Sequence, residues 1–296
     1  MVERSEQLAE RFEEQRPRLR AVAYRMLGSL SEAEDAVQET WLRAERADTD
    51  AVENLAGWLT TVAGRVCLNM LRARETRRED PLELRIPDPV IGPADGADPE
   101  YEALLADSVG LALLVVLDSL GPAERLAFVL HDMFAVPFDE IAPLIDKTAT
   151  ATRQLASRAR RRVQGQAPAP DPDRARQREV VDAFFAATRD GDLEALVAVL
   201  DPGVVLRSDG GVLRARHTVV LEGARTVAAQ AATFRALAPF ARIALINGTV
   251  GAVVVAPTGQ RISIMAFTVT DGAITTVEVV ADPDRLRTMD LTALGL

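Results

Sequence analysis

FDEIAPLIDK at Phe138–Lys147, running directly into TATATRQLASRARRRV at Thr148–Val163, decides how this chain is read. Phe138, Ile141, Ala142, Leu144 and Ile145 recur at helical spacing. Asp146 and Lys147 interrupt that face, and Leu155, Ala159 and Val163 resume it at four-residue steps. Two short helices sharing an apolar seam across a tight turn predict a helix-turn-helix, a motif that lays its second helix in the DNA major groove. Arg153, Arg158, Arg160, Arg161 and Arg162 give that second helix the positive charge that phosphates attract. A solvated basic helix in an ordinary helical domain is the other reading of the same residues.

The charge of the whole chain pulls the other way. The formal net charge is −10 over 296 residues, and such a field repels a duplex. The basic residues are localised, however: Arg65, Arg72, Arg74, Arg77 and Arg78 form one cluster, and Arg153–Arg162 the other. Two basic patches on an acidic body imply a protein delivered to DNA by a larger partner. The length fits two or three domains. The single Cys67 sits in an apolar helical context and reads as a small buried hydrophobe. The longest apolar run, Val109–Leu117, is too short to span a bilayer, so a soluble cytoplasmic protein is expected. No pattern calls for a metal or a cofactor.

Outward from the helix-turn-helix, the chain divides. Residues 1–79 are dense in helix formers: Leu19, Val22, Ala23, Met26 and Leu27 mark one helix, Ala33, Ala36, Val37 and Trp41 a second, and Leu55, Leu59, Val62, Ala63, Val66 and Met70 a third. Ser31 with Glu34 predicts a capping box opening the second. Residues 80–100, including IPDPVIGPADGADP, predict a flexible acidic linker. Residues 101–165 are again helical, and 166–175 (APAPDPD within them) form a Pro-rich hinge. In 176–296, two helices around Gly191 precede the β-rich runs VVLRS, TVVLEG, RIALING, GAVVVAP, RISIMAFTV and AITTVEVV, punctuated by turns such as Asp271-Gly272. Helices followed by a run of antiparallel strands predict an α+β domain with a curved sheet folded over helices.

The amino-terminal part carries a second feature. Asp35, Gln38 and Glu39 fall on one polar helical face, at i, i+3 and i+4, with Ala36, Val37 and Leu42 on the opposite side. Such a carboxylate–amide patch suits docking against basic helices, and an ordinary solvated face gives the same pattern.

Taken together, these stretches resemble a known family. Asp35-Ala36-Val37-Gln38-Glu39 is similar to the core-polymerase-binding motif of sigma-70 factors. Gly57-Trp58-Leu59-Thr60-Thr61-Val62-Ala63 through Asn69, Leu71 and Arg72 resembles their minus-10 recognition helix, and Arg158–Val163 the end of their minus-35 recognition helix. Order and spacing resemble the extracytoplasmic-function (ECF) subgroup, which keeps only these two sigma regions. The last third resembles a SnoaL-like cone domain, an extension that one ECF subgroup carries. Pro87, Asp88 and Pro89 resemble that subgroup's linker element; Asp209-Gly210-Gly211 and Asp282-Pro283-Asp284-Arg285-Leu286 resemble its carboxy-terminal motifs. Val212 departs from an expected third glycine, and Asp282 from the usual Asn.

The resemblance implies a fold of two all-α sigma domains plus an α+β cone, and an alternative sigma factor whose extension tunes it in cis. It implies core RNA polymerase as partner, with Asp35, Gln38 and Glu39 on the β′ clamp helices and a further contact to the β flap. It also implies promoter DNA, melted at minus-10 (Trp58, Arg65, Asn69, Arg72) and duplex at minus-35. There Thr148, Thr150, Arg153, Gln154 and Ser157 would reach base edges, while Arg158, Arg161 and Arg162 clamp phosphates. Trp58 has two readings, packing or base stacking. Pro87, Asp88, Pro89, Asp209, Gly210, Gly211, Asp282, Asp284 and Arg285 would mediate regulatory interdomain contacts. Cone folds of this type often enclose an apolar pocket, and Asp209, His217, Glu222 and Glu278 are the titratable groups near it. With no nucleophile, metal cluster or phosphate loop beside them, no catalysis is expected. A ligand-responsive helix-turn-helix regulator, or a DNA-binding module fused to a small cyclase- or isomerase-like enzyme, are the alternatives.

Overall fold

The computed structural model describes residues 2–49, 52–77, 85–94 and 110–295. The chain divides into two compact units, one of residues 1–81 and 114–166, the other of 82–113 and 167–296. Expectations for Arg78 and for helical structure over residues 101–109 fall outside the described residues.

The first unit is helical. Helices α1 (Val2–Leu27), α2 (Leu30–Arg46) and α3 (Leu55–Arg77) enclose a core of Phe12, Leu19, Val37, Ala44, Leu55, Leu59 and Ala63. Their spacing puts one apolar stripe of each helix inward, and Phe12 meets Trp41 edge-on at 5.0 Å. Gly28, at φ 68°, ends α1 with its N–H on the Tyr24 carbonyl. The expected Ser31–Glu34 capping box does not form. The helix begins at Leu30, so Ser31 lies inside its first turn, and Glu34 instead pairs with Arg20 at 2.5 Å.

After α4 (Leu111–Asp118), α5 (Pro122–Phe128) widens into a π-turn at Val129–Met133. Then come α6 (Phe138–Ile141), its 3₁₀ extension Ala142–Ile145, and α7 (Ala149–Gln166). Asp146 adopts φ 53°, making the sharp turn between the two predicted helices. These helices close onto α1 and α3. A Cβ on Gly64 of α3 would lie 2.9 Å from Leu130 and 3.2 Å from Leu126, so the missing side chain is what lets the backbones approach. Arg125, 1% exposed, crosses the same seam: its Nε donates to the Arg25 carbonyl (3.1 Å) and its Nη1 to Asp118 (2.9 Å). Phe134 lies under the guanidiniums of Arg18 and Arg25, and its carbonyl accepts from Arg18 at 2.9 Å.

The second unit is α+β. Helices α8 (Arg174–Asp190), α9 (Leu193–Val199) and α10 (Ala224–Ala232) accompany a seven-stranded sheet in the order β1-β4-β5-β6-β7-β2-β3. The strands are β1 (Ile91–Gly92), β2 (Leu200–Asp209), β3 (Val219–Glu222), β4 (Ala241–Ile246), β5 (Thr249–Val255), β6 (Arg261–Thr270) and β7 (Ala273–Val280). A short helix α11 (Pro283–Thr288) follows. Asp173 and Asp192 cap α8 and α9 through their carboxylates, and Gly191 ends α8 at φ 73°.

Three expectations are corrected here. The sheet is not wholly antiparallel: β2 runs parallel to β7, because the chain leaves β2 through the β3 hairpin and α10 and returns by a meander ending beside it. The flexible acidic linker is not free over residues 85–92. Prolines exclude a helix there, yet an extended strand can still dock, and Ile86, Pro87, Pro89 and Val90 are buried. Val90 exchanges hydrogen bonds with Asn247, and Ile91-Gly92 add an antiparallel edge strand to β4. The Pro-rich hinge is likewise tied down at its far end: Ala169 and Asp171 bond to Thr270 and Val269 of β6, and α8 starts at Arg174.

Candidate functional site

On α2, inward-facing Ala33, Ala36, Val37 and Thr40 leave Asp35 and Gln38 exposed, with Glu39 half-buried and salt-bridged to Arg43 at 2.9 Å. One turn earlier, Glu32 pairs with Arg74 of α3, whose Nη1 also donates to the Leu27 carbonyl (3.0 Å). Arg74, expected in a free basic cluster, is thus part of the scaffold that fixes α2 on α3. Asp35, Glu39, Arg43, Asn69 and Arg74 line one depression between the two helices, so the acidic patch and the start of the α3 face are neighbours.

On α3, Arg65, Asn69 and Arg72 are exposed at steps of four and three residues, one contiguous face. Trp58, half-buried, packs against the helical core.

On α7, Thr148 caps the helix, its Oγ1 accepting from Ala151 N–H (3.2 Å). Thr148, Thr150, Arg153 and Gln154 are exposed at the amino-terminal end and Ser157 is half-buried, while Thr152, Leu155, Ala156 and Ala159 face the core. The Arg153 guanidinium lies 5.3 Å from the Phe138 ring centroid, which steadies a residue at the presented end. The remaining arginines differ from one another. Arg158 donates to Glu124 (3.0 Å), Arg162 to the Ser119 carbonyl (3.2 Å), and Arg160 pairs with Asp132. Arg161 is exposed and has no ion pair among the described residues.

The residues resembling carboxy-terminal motifs meet the 85–92 segment in one cluster. Asp209, 4% exposed at the end of β2, accepts from the N–H of Ile86 (3.2 Å), the N–H of Gly211 (3.0 Å) and Arg285 Nη1 (2.5 Å). Arg285 Nη2 donates to the Ile86 carbonyl (2.7 Å) and to Asp88 (2.8 Å). One guanidinium therefore joins two carboxylates and a backbone carbonyl, and both sides of Ile86 are held. Gly210 and Gly211 are required by close approach: a Cβ on the first would meet the Arg214 carbonyl, and on the second, at φ 62°, the Asp282 carboxylate. Asp282 caps α11 through Asp284 N–H (2.9 Å), which orients the helix carrying Arg285. Pro87 and Pro89 are buried on either side of Asp88. Asp284 is part of the cap, and its carboxylate pairs with Arg287 rather than with the linker.

Glu278 and Arg207 face one another across the parallel β2–β7 pair at 3.0 Å. Burial pushes the Glu278 carboxyl up to about 7 against the pull of Arg207. Burial likewise pushes the Cys67 thiol up to about 12, so it stays protonated, in keeping with a small core residue. His217 is exposed at the end of a 3₁₀ turn, Val212–His217, beside Phe234. Among the described residues no group of metal-ligating side chains gathers, and no helix is long and apolar enough to cross a membrane.

Comparison with known proteins agrees with this layout. Sigma-70 region 2 matches residues 11–77, and sigma-70 region 4 matches residues 110–163. The ECF RNA polymerase sigma factor SigJ of Mycobacterium tuberculosis is 37% identical over 286 residues, covering 93% of this chain and 91% of that protein. The chain belongs to the ECF sigma factor family. The probable ECF sigma factor SigI of the same organism is 39% identical over 206 residues, covering 70% of this chain and 69% of its own. The crystal structure of SigJ superposes with a TM-score of 0.77 at 34% identity, covering 96% of this chain and 99% of that one. This ECF sigma factor therefore carries helical regions 2 and 4 followed by a SnoaL-like α+β domain.

Several residues of the sigma factor escaped the sequence reading. Gly64 and Arg125 sit in helical runs where neither stands out; a charged residue on an apolar face (Arg125 beside Leu126, Ala127 and Phe128) was the available signal. Asn247, which pairs with Val90, lies in an Asn-Gly turn whose left-handed geometry (φ 50° and 81°) was legible, but its partner was not.

Proposed function

We propose that this ECF sigma factor binds core RNA polymerase and directs promoter-specific initiation, under tuning by its SnoaL-like domain acting through the 85–92 linker. Asp35, Gln38 and Glu39 dock on basic clamp helices of the polymerase β′ subunit, and region 4 contacts the β flap. An exposed acidic patch gives orientation and encounter rate there. The Arg65–Asn69–Arg72 face engages the melted minus-10 strand, where unpaired bases are read on their edges. At minus-35, Thr148, Thr150, Arg153, Gln154 and Ser157 read base edges, with Arg-to-guanine and Gln-to-adenine the favoured pairings. Arg161 is the phosphate clamp. Arg158 and Arg162 join it by exchanging Glu124 and Ser119 for phosphate, a cheap exchange at a solvated surface.

The observation that carries the tuning role is the Arg285 junction, in which the SnoaL-like domain holds both sides of Ile86 and the Asp88 carboxylate between the two sigma regions of the sequence. Family membership displaces the reading as a conventional helix-turn-helix regulator. Purified core polymerase tests the proposal. Alanine at Asp35, Gln38 and Glu39 should abolish binding by the full chain, and alanine at Asp88 should change transcription without abolishing it. Unchanged binding by the first variant refutes the docking face; unchanged transcription by the second refutes the tuning.

A further inference from the structure

The SnoaL-like domain contains a cavity of about 320 Å³. Its walls are apolar, with Phe184 and Phe185 of α8 on one side and Met265 and Val279 of the sheet on another. Its polar lining residues, Thr188, Ser208, Arg214, His217, Gln230 and Ser263, include one guanidinium, that of Arg214 on the 3₁₀ turn. Arg214 has no ion pair among the described residues. Its guanidinium makes one long bond, 3.5 Å, to the Ala281 carbonyl, and the nearby Asp209 is already committed to Arg285. The chamber is thus a mainly apolar cavity with one guanidinium on its wall that has no ion pair among the described residues, a combination that selects an amphiphilic anion.

The same turn borders the linker junction. Along β2, Ser208 faces the cavity, and the next residue, Asp209, turns to the opposite face and holds Ile86. The Arg214 carbonyl lies directly on Gly210, Gly210 N–H donates to Thr218 Oγ1 (3.1 Å), and Ala281, the partner of Arg214, donates its N–H to the Asp209 carbonyl (2.7 Å). A ligand that draws Arg214 off Ala281 therefore acts on the two segments, 209–211 and 281–285, that make the junction.

We propose that this cavity binds a small apolar carboxylate, its ring or chain among the phenylalanines and its carboxylate on Arg214, and that occupancy alters the hold on residues 85–92. The binding half stands independently; the second half rests on the tuning role proposed above.

Naphthalene-2-carboxylate, with its neutral carboxamide as control, tests it by calorimetry on the full chain. The carboxylate should bind more tightly than the carboxamide. Arg214→Gln should weaken the carboxylate roughly tenfold to a hundredfold, as expected for one charge-assisted contact, and leave the carboxamide unchanged. Met265→Trp, which fills the cavity, should weaken both; Arg214→Gln, near the surface, serves if that variant fails to fold. Hydrogen exchange at residues 85–92 should change on adding the carboxylate. Equal binding of carboxylate and carboxamide, or no effect of Arg214→Gln, overturns the ligand class. Binding indifferent to Met265→Trp in a folded protein overturns the site. Binding with unaltered exchange overturns the coupling. Failure of Asp88→Ala to change transcription would sink the tuning role while leaving carboxylate binding standing.

Discussion

Arg285→Ala should release the linker by a calculable amount. The guanidinium makes two charge-assisted bonds to the linker itself, to the Ile86 carbonyl and to Asp88, and a third to Asp209. Bonds of this kind contribute roughly 1.5 kcal/mol each at the low end, so losing the two linker bonds costs about 3 kcal/mol. That is about a hundredfold in the open fraction of the segment. The loss does not free it completely, because Ile86 stays buried and Val90 keeps both bonds to Asn247. Removing the arginine also strands the Asp209 carboxylate with two backbone donors and no countercharge. This lowers the stability of the unit by about 3 kcal/mol, the bottom of the range for breaking a buried pair, since those two donors remain.

Hydrogen exchange reads the two effects separately. The amides of Ile86 and Val90, which exchange by local opening, should exchange about a hundredfold faster in Arg285→Ala, while the amides of the central strands β5 and β6, which exchange by unfolding of the whole unit, report the stability loss caused by stranding Asp209. A double-mutant cycle with Asp88→Ala should give a coupling of about 1 kcal/mol, because the two residues share one bond. Exchange at Ile86 and Val90 within about twofold of the parent, in a folded protein, would refute the assignment of Arg285 as the linker's anchor.

Three further outcomes follow from the same geometry. Arg153→Ala should relax sequence preference at one minus-35 position by about 1–3 kcal/mol, whereas Arg161→Ala should weaken all promoters alike and reduce the salt slope by about one; a uniform loss for Arg153→Ala refutes its reading role. Glu278 has its carboxyl raised to about 7 in the folded protein from an ordinary 4.5, so the folded state holds the extra proton between those values, and this group's contribution to stability is fully present below about 4.5 and is lost as pH rises through 7. Chemical denaturation across pH 5 to 8 should show that decline in the parent and a flatter profile in Glu278→Gln. Arg125→Ala should cost about 3 kcal/mol in denaturant, since it opens a cavity and removes the bond to the Arg25 carbonyl, while Arg125→Met, which refills the space and leaves Asp118 to solvent, should cost less than half of that; equal losses would show that the charge, not the packing, holds the seam.

What the sequence disclosed follows the range of the interactions involved. Local periodicity located the helix-turn-helix, and the alternation of apolar and polar residues located the strands, because both are set within a few residues. Position within a helix also separated Asp35 and Gln38, which face solvent, from Val37, which does not. The Asp209, Asp282–Arg285 and Asp88 motifs were legible as points of interest, yet their convergence on one guanidinium was not. They come from segments up to 199 residues apart, and no local pattern records such a meeting. The linker misled for a related reason. Its prolines do forbid helix and inner strand, but burial of Ile86 and Val90 depends on an edge that β4 offers from far along the chain. The parallel β2–β7 pair was hidden likewise, since strand direction depends on the path between strands rather than on their composition.

The charged seam between regions 2 and 4 has a functional logic. The two promoter elements are roughly 25 base pairs apart by name, about 85 Å along B-DNA at about 3.4 Å per pair. A compact unit of roughly 130 residues has a radius of gyration of about 14 Å, so the first unit cannot reach both elements while it stays closed. The proposed promoter reading thus requires the seam at Gly64, Arg125 and Leu130 to part. The chain between the regions, roughly 30 residues, reaches about 100 Å when residues 85–92 are released from β4 and Arg285. An apolar seam of the same size would resist opening by the full hydrophobic term. A seam pinned by Arg125, by contrast, returns a buried guanidinium to water on opening, and its rehydration offsets part of the lost packing. On the proposed promoter reading, the buried arginine holds the two regions in one register when closed and lowers the cost of separating them.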